Sequence, residues 1–321
     1  MLKLVIKRLF QMVLVLLIVS LIVFILSSMI GDPVSLMVPE NASPEEVQAA
    51  REYLGLDKPI HVQYLIFMRD VVKGNFGRSY RYYQPAMKVI LERIPATLEI
   101  VFLSVLITGV LSVLFGVYAG AYPKRSSSKT IMTFSIIGIS LPSFWLGMMM
   151  IFIFSIYFGW LPPSGRGQLG TFLGIKSSLF TLNGLKHLIL PAITLSLANI
   201  ATLIRLIRAG MQETLKQDYI KYARSKGVSQ RDVLYKHALP NTLIPVITIF
   251  GLQVGELIAF TTITETVFAW PGIGKLLIDS IYSVDKPIIV SYLMIVSAMF
   301  VMINFLVDIT YIIIDPRVKI K

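Results

Sequence analysis

The sequence contains no cysteine. That excludes a disulfide framework, a thiolate-bound metal or iron–sulfur centre, and anchorage through a lipidated cysteine, while leaving the redox compartment undetermined. Charge is also scarce: Asp, Glu, Lys and Arg make up 15% of the chain, against about 25% in soluble domains. Three histidines occur, His61, His187 and His237, too scattered for an H-E-x-x-H helix or a cluster of metal ligands. There is no G-x-x-x-x-G-K-[ST] phosphate loop. Gly274-Lys275 is followed by an apolar run, but Ala269 stands where the first glycine belongs. No G-x-S-x-G nucleophile turn appears, and there is no internal repeat or low-complexity tract. A hydrolase, a protease or a phosphate-loop ATPase would each need chemistry that these residues do not supply.

What is abundant is apolar surface. Hydrophobic residues make up 55% of the chain and the mean hydropathy is +0.74, against roughly 45–50% apolar in soluble domains. Such a chain belongs in a bilayer. A spanning helix needs about 20 apolar residues, because ~1.5 Å of rise per residue must cross ~30 Å of hydrocarbon. Six segments qualify: 9–30, 98–122, 131–160, 188–206, 242–264 and 288–314. The first follows Lys3, Lys7 and Arg8, is long for a signal-peptide core, and is not followed by a small-x-small cleavage pattern, so it reads as a retained helix. The third is too long for one straight span, and Pro142, just after Gly138, is the expected break. Pro191 lies near the start of the fourth. The fold class expected is all-α: a polytopic integral membrane protein with six transmembrane helices.

The formal charge of +12 is explained by loops rather than by nucleic acid, because basic residues gather on the cytoplasmic side. With the N-terminus inside, the inner segments carry Lys3, Lys7 and Arg8, then Lys124, Arg125 and Lys129, then a dense group from Arg205 to Lys236, then Arg317, Lys319 and Lys321. The short outer loops carry only Arg166, Lys176, Lys186, Lys275 and Lys286. Both termini are therefore expected in the cytoplasm, with the chain in the cytoplasmic membrane and in contact with its lipid.

Two segments stand outside the spans. Residues 31–94 form an expected external cap, in which Ser43-Pro44-Glu45-Glu46 is a helix-start signature, Gly55 suits a helix end, and residues 59–73 form a second short helix before Gly74. The other is the cytoplasmic loop between the fourth and fifth spans. There Asp218 to Gly227 reads as a short amphipathic helix, with Tyr219, Tyr222 and Ala223 on one face and Lys221 and Arg224 elsewhere. Ala223 and Gly227 are small enough to admit another backbone. Gly227 ends the helix, and Ser229-x-x-Asp232 starts another that runs to Pro240. A helix–glycine–helix of this kind suits docking by another subunit, or alternatively a basic helix lying on anionic lipid.

Polar groups within the spans are few. Gln253 and Glu256 are candidates for lining a translocation path, since an ionisable residue at membrane depth faces a cavity or a partner. Glu265, Asn304 and Asp308 are candidate packing or gating groups; Asn304 and Asp308, four apart on one helix face, alternatively fix helix packing near the cytoplasmic interface.

The 218–240 loop resembles the "EAA" signature of ABC importer permeases, matched here by Ala223, Gly227, Leu239 and Pro240, while Lys221, Tyr222 and His237 depart from it. The rest of the chain is similar to the oligopeptide/dipeptide permease family, first-permease type, nearly end to end. The matching blocks begin with Gly31-Asp32-Pro33, Gly55-Leu56-Asp57-Lys58-Pro59, Gly74-Asn75-Phe76-Gly77-Arg78-Ser79 and Pro95-Ala96-Thr97-Leu98-Glu99. They continue through Leu141-Pro142-Ser143-Phe144-Trp145-Leu146-Gly147, the run from Glu265 to Gly274, and Asn304 through Asp308 to Asp315-Pro316-Arg317. Glu256 and Val284-Asp285-Lys286-Pro287 depart from the pattern.

The resemblance implies an ABC importer type I permease fold. It divides the chain into residues 1–94, an N-terminal helix plus external cap, and residues 95–321, a five-helix core carrying a coupling loop at 208–240. It also implies several partners: a second homologous permease, two cytoplasmic ABC ATPases that grip Asp218, Tyr219, Tyr222, Ala223, Gly227, Leu239 and Pro240, and an external solute-binding protein, for which residues 31–94 and 172–186 are the candidate docking surface or, alternatively, a cap stabilising the permease pair. ATP and magnesium would then sit on the ATPases, with no cofactor bound by this chain. Di- and oligopeptides are the implied solutes, with nickel, glutathione and oligosaccharide importers as related alternatives. A secondary transporter would need intramembrane ion-coupling residues and often pseudo-repeated halves, for which one deep carboxylate is little support.

Overall fold

The computed structural model describes residues 2–29, 34, 38, 42–53 and 55–314. Gly31-Asp32-Pro33 and Asp315-Pro316-Arg317 lie outside the described residues. Among the described residues five helices are long and apolar enough to cross a membrane: α1 (Leu2–Met29), α4 (Ala86–Ala121), α7 (Leu182–Thr214), α10 (Leu239–Val267) and α12 (Lys286–Ile314). α5 (Ser126–Ser140) and α6 (Ser143–Met150), the latter prolonged by a π-helical stretch at Ile151–Tyr157, are bent by 111° from each other and make a sixth span only when the pair is counted as one. The break falls at Leu141-Pro142, where both residues are extended. Proline lacks the amide hydrogen a helix needs, and its ring pushes the preceding residue out of the helical region.

The helices overrun the apolar windows. α4 begins at Ala86 and passes through Pro95 without interruption, so the expected division at 94/95 lies inside one continuous helix. Between the spans lie α2 (Pro44–Tyr53) and α3 (Ile60–Val72), a β-hairpin of β1 (Gly170–Phe172) and β2 (Ile175–Ser177), α8 (Asp218–Ser225), α9 (Gln230–Asp232) and α11 (Ile273–Tyr282). The chain order places α2, α3, the hairpin and α11 at one end of the bundle, and α8 and α9 at the other.

The centre of the bundle is the pair α4 and α7, which run parallel at a constant offset. Ser104 Oγ donates to the Ala192 carbonyl at 3.0 Å and Ser112 Oγ to that of Ile200 at 3.4 Å, each 88 residues on. Small residues at every fourth position of α4 allow this: Ser104, Thr108, Ser112, Gly116 and Gly120 are all buried. A Cβ on Gly116 would stand 2.7 Å from the Ile207 Cβ, and one on Gly120 2.6 Å from that of Met211. In lipid, where apolar side chains gain little by leaving the acyl chains, such close backbone approach is what holds helices together. A Gly-x-x-x-Gly pair, Gly251 and Gly255 of α10, serves the same purpose against Val307, Phe300 and Asn304 of α12.

The expected cap is built as its sequence signals specify. Ser43 and Glu46 form a reciprocal capping box, the Ser43 amide donating to Glu46 Oε2 at 2.8 Å and the Glu46 amide to Ser43 Oγ at 3.2 Å. Gly55 and Gly74, at positive φ, end α2 and α3. α3 lies on α1 through a hydrogen bond between Tyr64 OH and Ser20 Oγ at 2.8 Å and an aromatic cluster of Phe24, Tyr64 and Phe67.

Candidate functional site

At the α8 end, a solvent-facing helix rests on a buried cluster. Ile220 is fully buried and Ala223 is 8% exposed. Ile220 packs in one cluster with Ile207 and Met211 of α7, Val117 of α4, Val233, Leu234 and Ala238 of the helical stretch leading into α10, and Leu239 of α10 itself. This corrects the division of faces read from the sequence. Ile220 and Ala223, three apart, take the inward stripe, so Ala223 does not share an outward face with the tyrosines. Tyr219 and Tyr222 are 43% and 61% exposed. Leu239 supports the element from beneath rather than presenting itself, while Pro240 is exposed in the first turn of α10.

The outward face is held in shape locally. Asn241 Nδ2 donates to Tyr219 OH at 2.7 Å, and Lys226 Nζ lies 4.6 Å from the centre of the Tyr222 ring. Lys221 Nζ donates to Asp218 Oδ1 at 2.8 Å, and that hydrogen bond holds the Asp218 carboxyl below its ordinary range. Gly227, at φ +77°, closes a Schellman turn: its amide donates to the Arg224 carbonyl at 3.0 Å and the Val228 amide to that of Ala223 at 3.2 Å. A Cβ at Gly227 would meet nothing within 4 Å, so within this chain the glycine is required by its dihedral angle and not by its size. Ser229 then caps the next helix, accepting from the Asp232 amide at 3.2 Å, and that helix continues unbroken into α10.

The α10 helix divides the two path candidates. Gln253 is 8% exposed and turned into the bundle, its Oε1 without a hydrogen-bond partner among the described residues. Glu256 is exposed, on a face otherwise lined by Ile249, Leu252, Phe260 and Ile263. The boundary between buried and outward faces runs between residues only roughly 60° apart around the helix, so sharing a helix side did not give them a shared environment.

The remaining polar candidates join helices. Glu265 is fully buried: Oε1 accepts from Thr97 Oγ1 of α4 at 2.6 Å, and Oε2 from the Lys275 amide at 2.9 Å, at the start of α11. Thr97 Oγ1 in turn accepts from the Ile273 amide at 2.9 Å. Asp308 Oδ2 lies 3.1 Å from Arg8 Nη1, linking α12 to α1. Asn304 Oδ1 is buried against Gly255 and has no hydrogen-bond partner among the described residues. Nor do three His, Asp or Glu side chains gather among the described residues to hold a metal ion.

Residues 112–320 match the family profile described as binding-protein-dependent transport system inner membrane component, and residues 1–101 match the profile of that system's N-terminal membrane component. The chain belongs to this permease family. The permease is a multi-pass inner-membrane subunit of an ABC importer; it is not an enzyme, and ATP is hydrolysed on separate subunits. It is 40% identical over 316 residues to the di/tripeptide transport system permease protein DppB of Pseudomonas aeruginosa (strain UCBPP-PA14), covering 94% of each chain. It is 38% identical over 290 residues to the oligopeptide transport system permease protein AppB of Bacillus subtilis (strain 168), covering 90% of each. With the glutathione transport system permease protein GsiC of Escherichia coli (strain K12) it shares 36% identity over 322 residues, covering all of both chains. The solved MetNI methionine ABC transporter, in inward facing conformations, matches with a TM-score of 0.55 at 16% identity, over 71% of the permease and 97% of that chain. At that identity the likeness is one of fold, and it is the ABC importer type I permease fold expected from the sequence.

Two polar anchors of the permease escaped the sequence reading. Glu99 of α4, 5% exposed, takes Arg166 in a two-pronged ion pair at 2.6 and 3.0 Å and also accepts from Ser178 Oγ at 2.6 Å and the Ser178 amide at 3.1 Å. This ties the 158–181 connection onto the helix bundle. Asp285, fully buried at the start of α12, accepts from Ser79 Oγ and from the Tyr80 and Arg81 amides, both at 3.3 Å, and so fastens the loop before α4. Burial and the neighbouring Asp285 charge push the Tyr80 hydroxyl above its ordinary pKa. The partners are 67 and more than 200 residues apart. The only sequence signal was a carboxylate in or beside an apolar run.

Proposed function

We infer that this permease forms one half of the translocation path of an importer for di- and oligopeptides, working with a second, homologous permease. What supports this most is similarity that runs the length of the chain to permeases named for dipeptide, tripeptide and oligopeptide transport. Glutathione is the second reading, supported by the full-length match to a glutathione permease, and is itself a tripeptide-like solute.

In this reading both termini and α8 face the cytoplasm. Two ABC ATPases, which bind ATP and magnesium, receive α8 through Tyr219, Tyr222 and the turn at Gly227. ATP-driven closure of the ATPases draws the α8 elements of the two permeases together. Because α8 sits on a cluster shared with α4, α7 and α10, that movement is passed to three spans at once, and hydrolysis restores the starting state. An external solute-binding protein delivers the solute to residues 31–94 and 172–186. Gln253, buried within this half, takes no part in the lining; Glu256 does. The helices from α4 onward act as the moving core, with α1, α2 and α3 as its peripheral helix and cap.

The test is reconstitution of the permease with its partner subunits, followed by mass-spectrometric readout of ATP-dependent uptake from a mixture of peptides, glutathione, nickel and oligosaccharides. Peptides should be taken up. Gly227→Asp should abolish that uptake while leaving the permease inserted, because the new side chain projects into the space an ATPase would occupy. Uptake at the unmodified rate by that variant would remove α8 from the coupling role.

A further inference from the structure

Among the described residues the spanning helices carry Glu92 and Glu213 near their ends and Glu99, Glu256, Glu265 and Asp308 further in, and three of the latter have their charge met by this chain. Glu99 is held by Arg166 and Ser178, Glu265 by Thr97 and the start of α11, and Asp308 by Arg8. Glu256 is exposed and makes no hydrogen bond or ion pair among the described residues. It stands about 16 Å from the end of α10 at Val267, close to half the ~30 Å hydrocarbon thickness. A carboxylate at that depth is too costly to face acyl chains, so its side of α10 borders water or another polar surface. The outward face of α1 shows the contrast, since Phe10, Val13, Leu14, Leu17, Ile18 and Leu21 are all exposed and all apolar.

The neighbourhood of Glu256 has the character of a site for a solute that is charged at one point and apolar elsewhere. Leu252 and Phe260 are exposed one turn to either side of the carboxylate, at roughly 6 Å along the axis. Among the described residues no cation pairs with it. On the reading of the chain as half of a peptide path, we propose that Glu256 is the cation-recognising point of that path. Its carboxylate accepts the N-terminal ammonium of the passing peptide while Leu252 and Phe260 give the adjoining side chains an apolar track. Solutes with a free amine are then carried in preference to the same solutes with the amine blocked.

The experiment uses the assembled importer, with both permeases, ATPases and binding protein, in proteoliposomes. The probes are trialanine and N-acetyl-trialanine, each at a concentration that saturates the binding protein. Glu256→Gln should lower the ratio of kcat for the free-amine probe to kcat for the acetylated probe about tenfold, the effect of removing one charged partner. The loss should fall on the free-amine probe, and Glu256→Asp should keep most of the original ratio. A merely structural role would lower both rates and leave the ratio alone. An unchanged ratio in Glu256→Gln overturns the proposal and leaves the peptide reading standing. So does an equal loss on both probes with the two permeases failing to co-purify, which would assign the carboxylate to a cation of the second permease. Unmodified importer that carries neither probe with ATP overturns the peptide reading and this inference with it.

Discussion

Glu256 and Glu265 stand on one helix, about 13 Å apart along its axis, and the fold treats them in opposite ways. Around Glu265 the chain closes completely. Thr97 from α4 and the backbone at the start of α11 supply its hydrogen bonds, and Trp270 seals the site by donating Nε1 to the Ala96 carbonyl at 2.8 Å. A Cβ at Gly272 would run into the carboxylate itself. Around Glu256 the described residues supply no hydrogen bond or ion pair. Both residues break the rule that charge avoids the membrane, yet only one break is resolved inside the molecule. A carboxylate satisfied by its own chain is an architectural joint, whereas one left open deeper along the same helix marks where another molecule must arrive.

That contrast can be tested on stability, beginning where the effect should be greatest. Arg166→Leu leaves Glu99 buried beside two hydrogen bonds from Ser178 but without its cation. Breaking a buried pair from one side costs about 3 kcal/mol, so thermal unfolding of the purified permease should move to markedly lower temperature, and proteolysis should reach the 158–181 connection first. Glu265→Gln keeps the shape but replaces one carboxylate oxygen by an amide that cannot accept from Thr97 or from the α11 backbone. About 2 kcal/mol should be lost, read in the same melting experiment. Glu256→Gln should shift the midpoint hardly at all, within the ~0.5 kcal/mol usual for exposed positions away from structural features. A large loss there would erase the distinction between the two glutamates.

Much of the fold was legible because the bilayer imposes a coarse code. The five long spans, the break at Pro142, the capping box at Ser43 and the turn at Gly227 all follow from local rules about length, proline, hydrogen-bonding side chains and positive φ. What the sequence hides is direction. On α8 a partner-facing stripe and a bundle-facing stripe can use the same residue types, so the letters place Ala223 beside the tyrosines although it lies with buried Ile220. The small-residue ladder of α4 was also present in the letters but passed unnoticed, because hydropathy weighs glycine and serine as weak residues rather than as points of close approach. The Glu99–Arg166 and Asp285–Ser79 anchors need three-dimensional information, since no periodicity connects positions so far apart.

The helical run from Gln230 to Val267 has a mechanical consequence. It is a single shaft of roughly 57 Å, anchored at one end in the element beneath α8 and touching α12 closely at Gly251 and Gly255. A stiff rod that rocks about a close contact moves most at its tips and least at the fulcrum. Glu256 is the very next residue after that contact. A shaft rocking there would swing its two ends through opposite arcs while keeping Glu256 nearly still, as a balance holds its pivot steady while both pans travel.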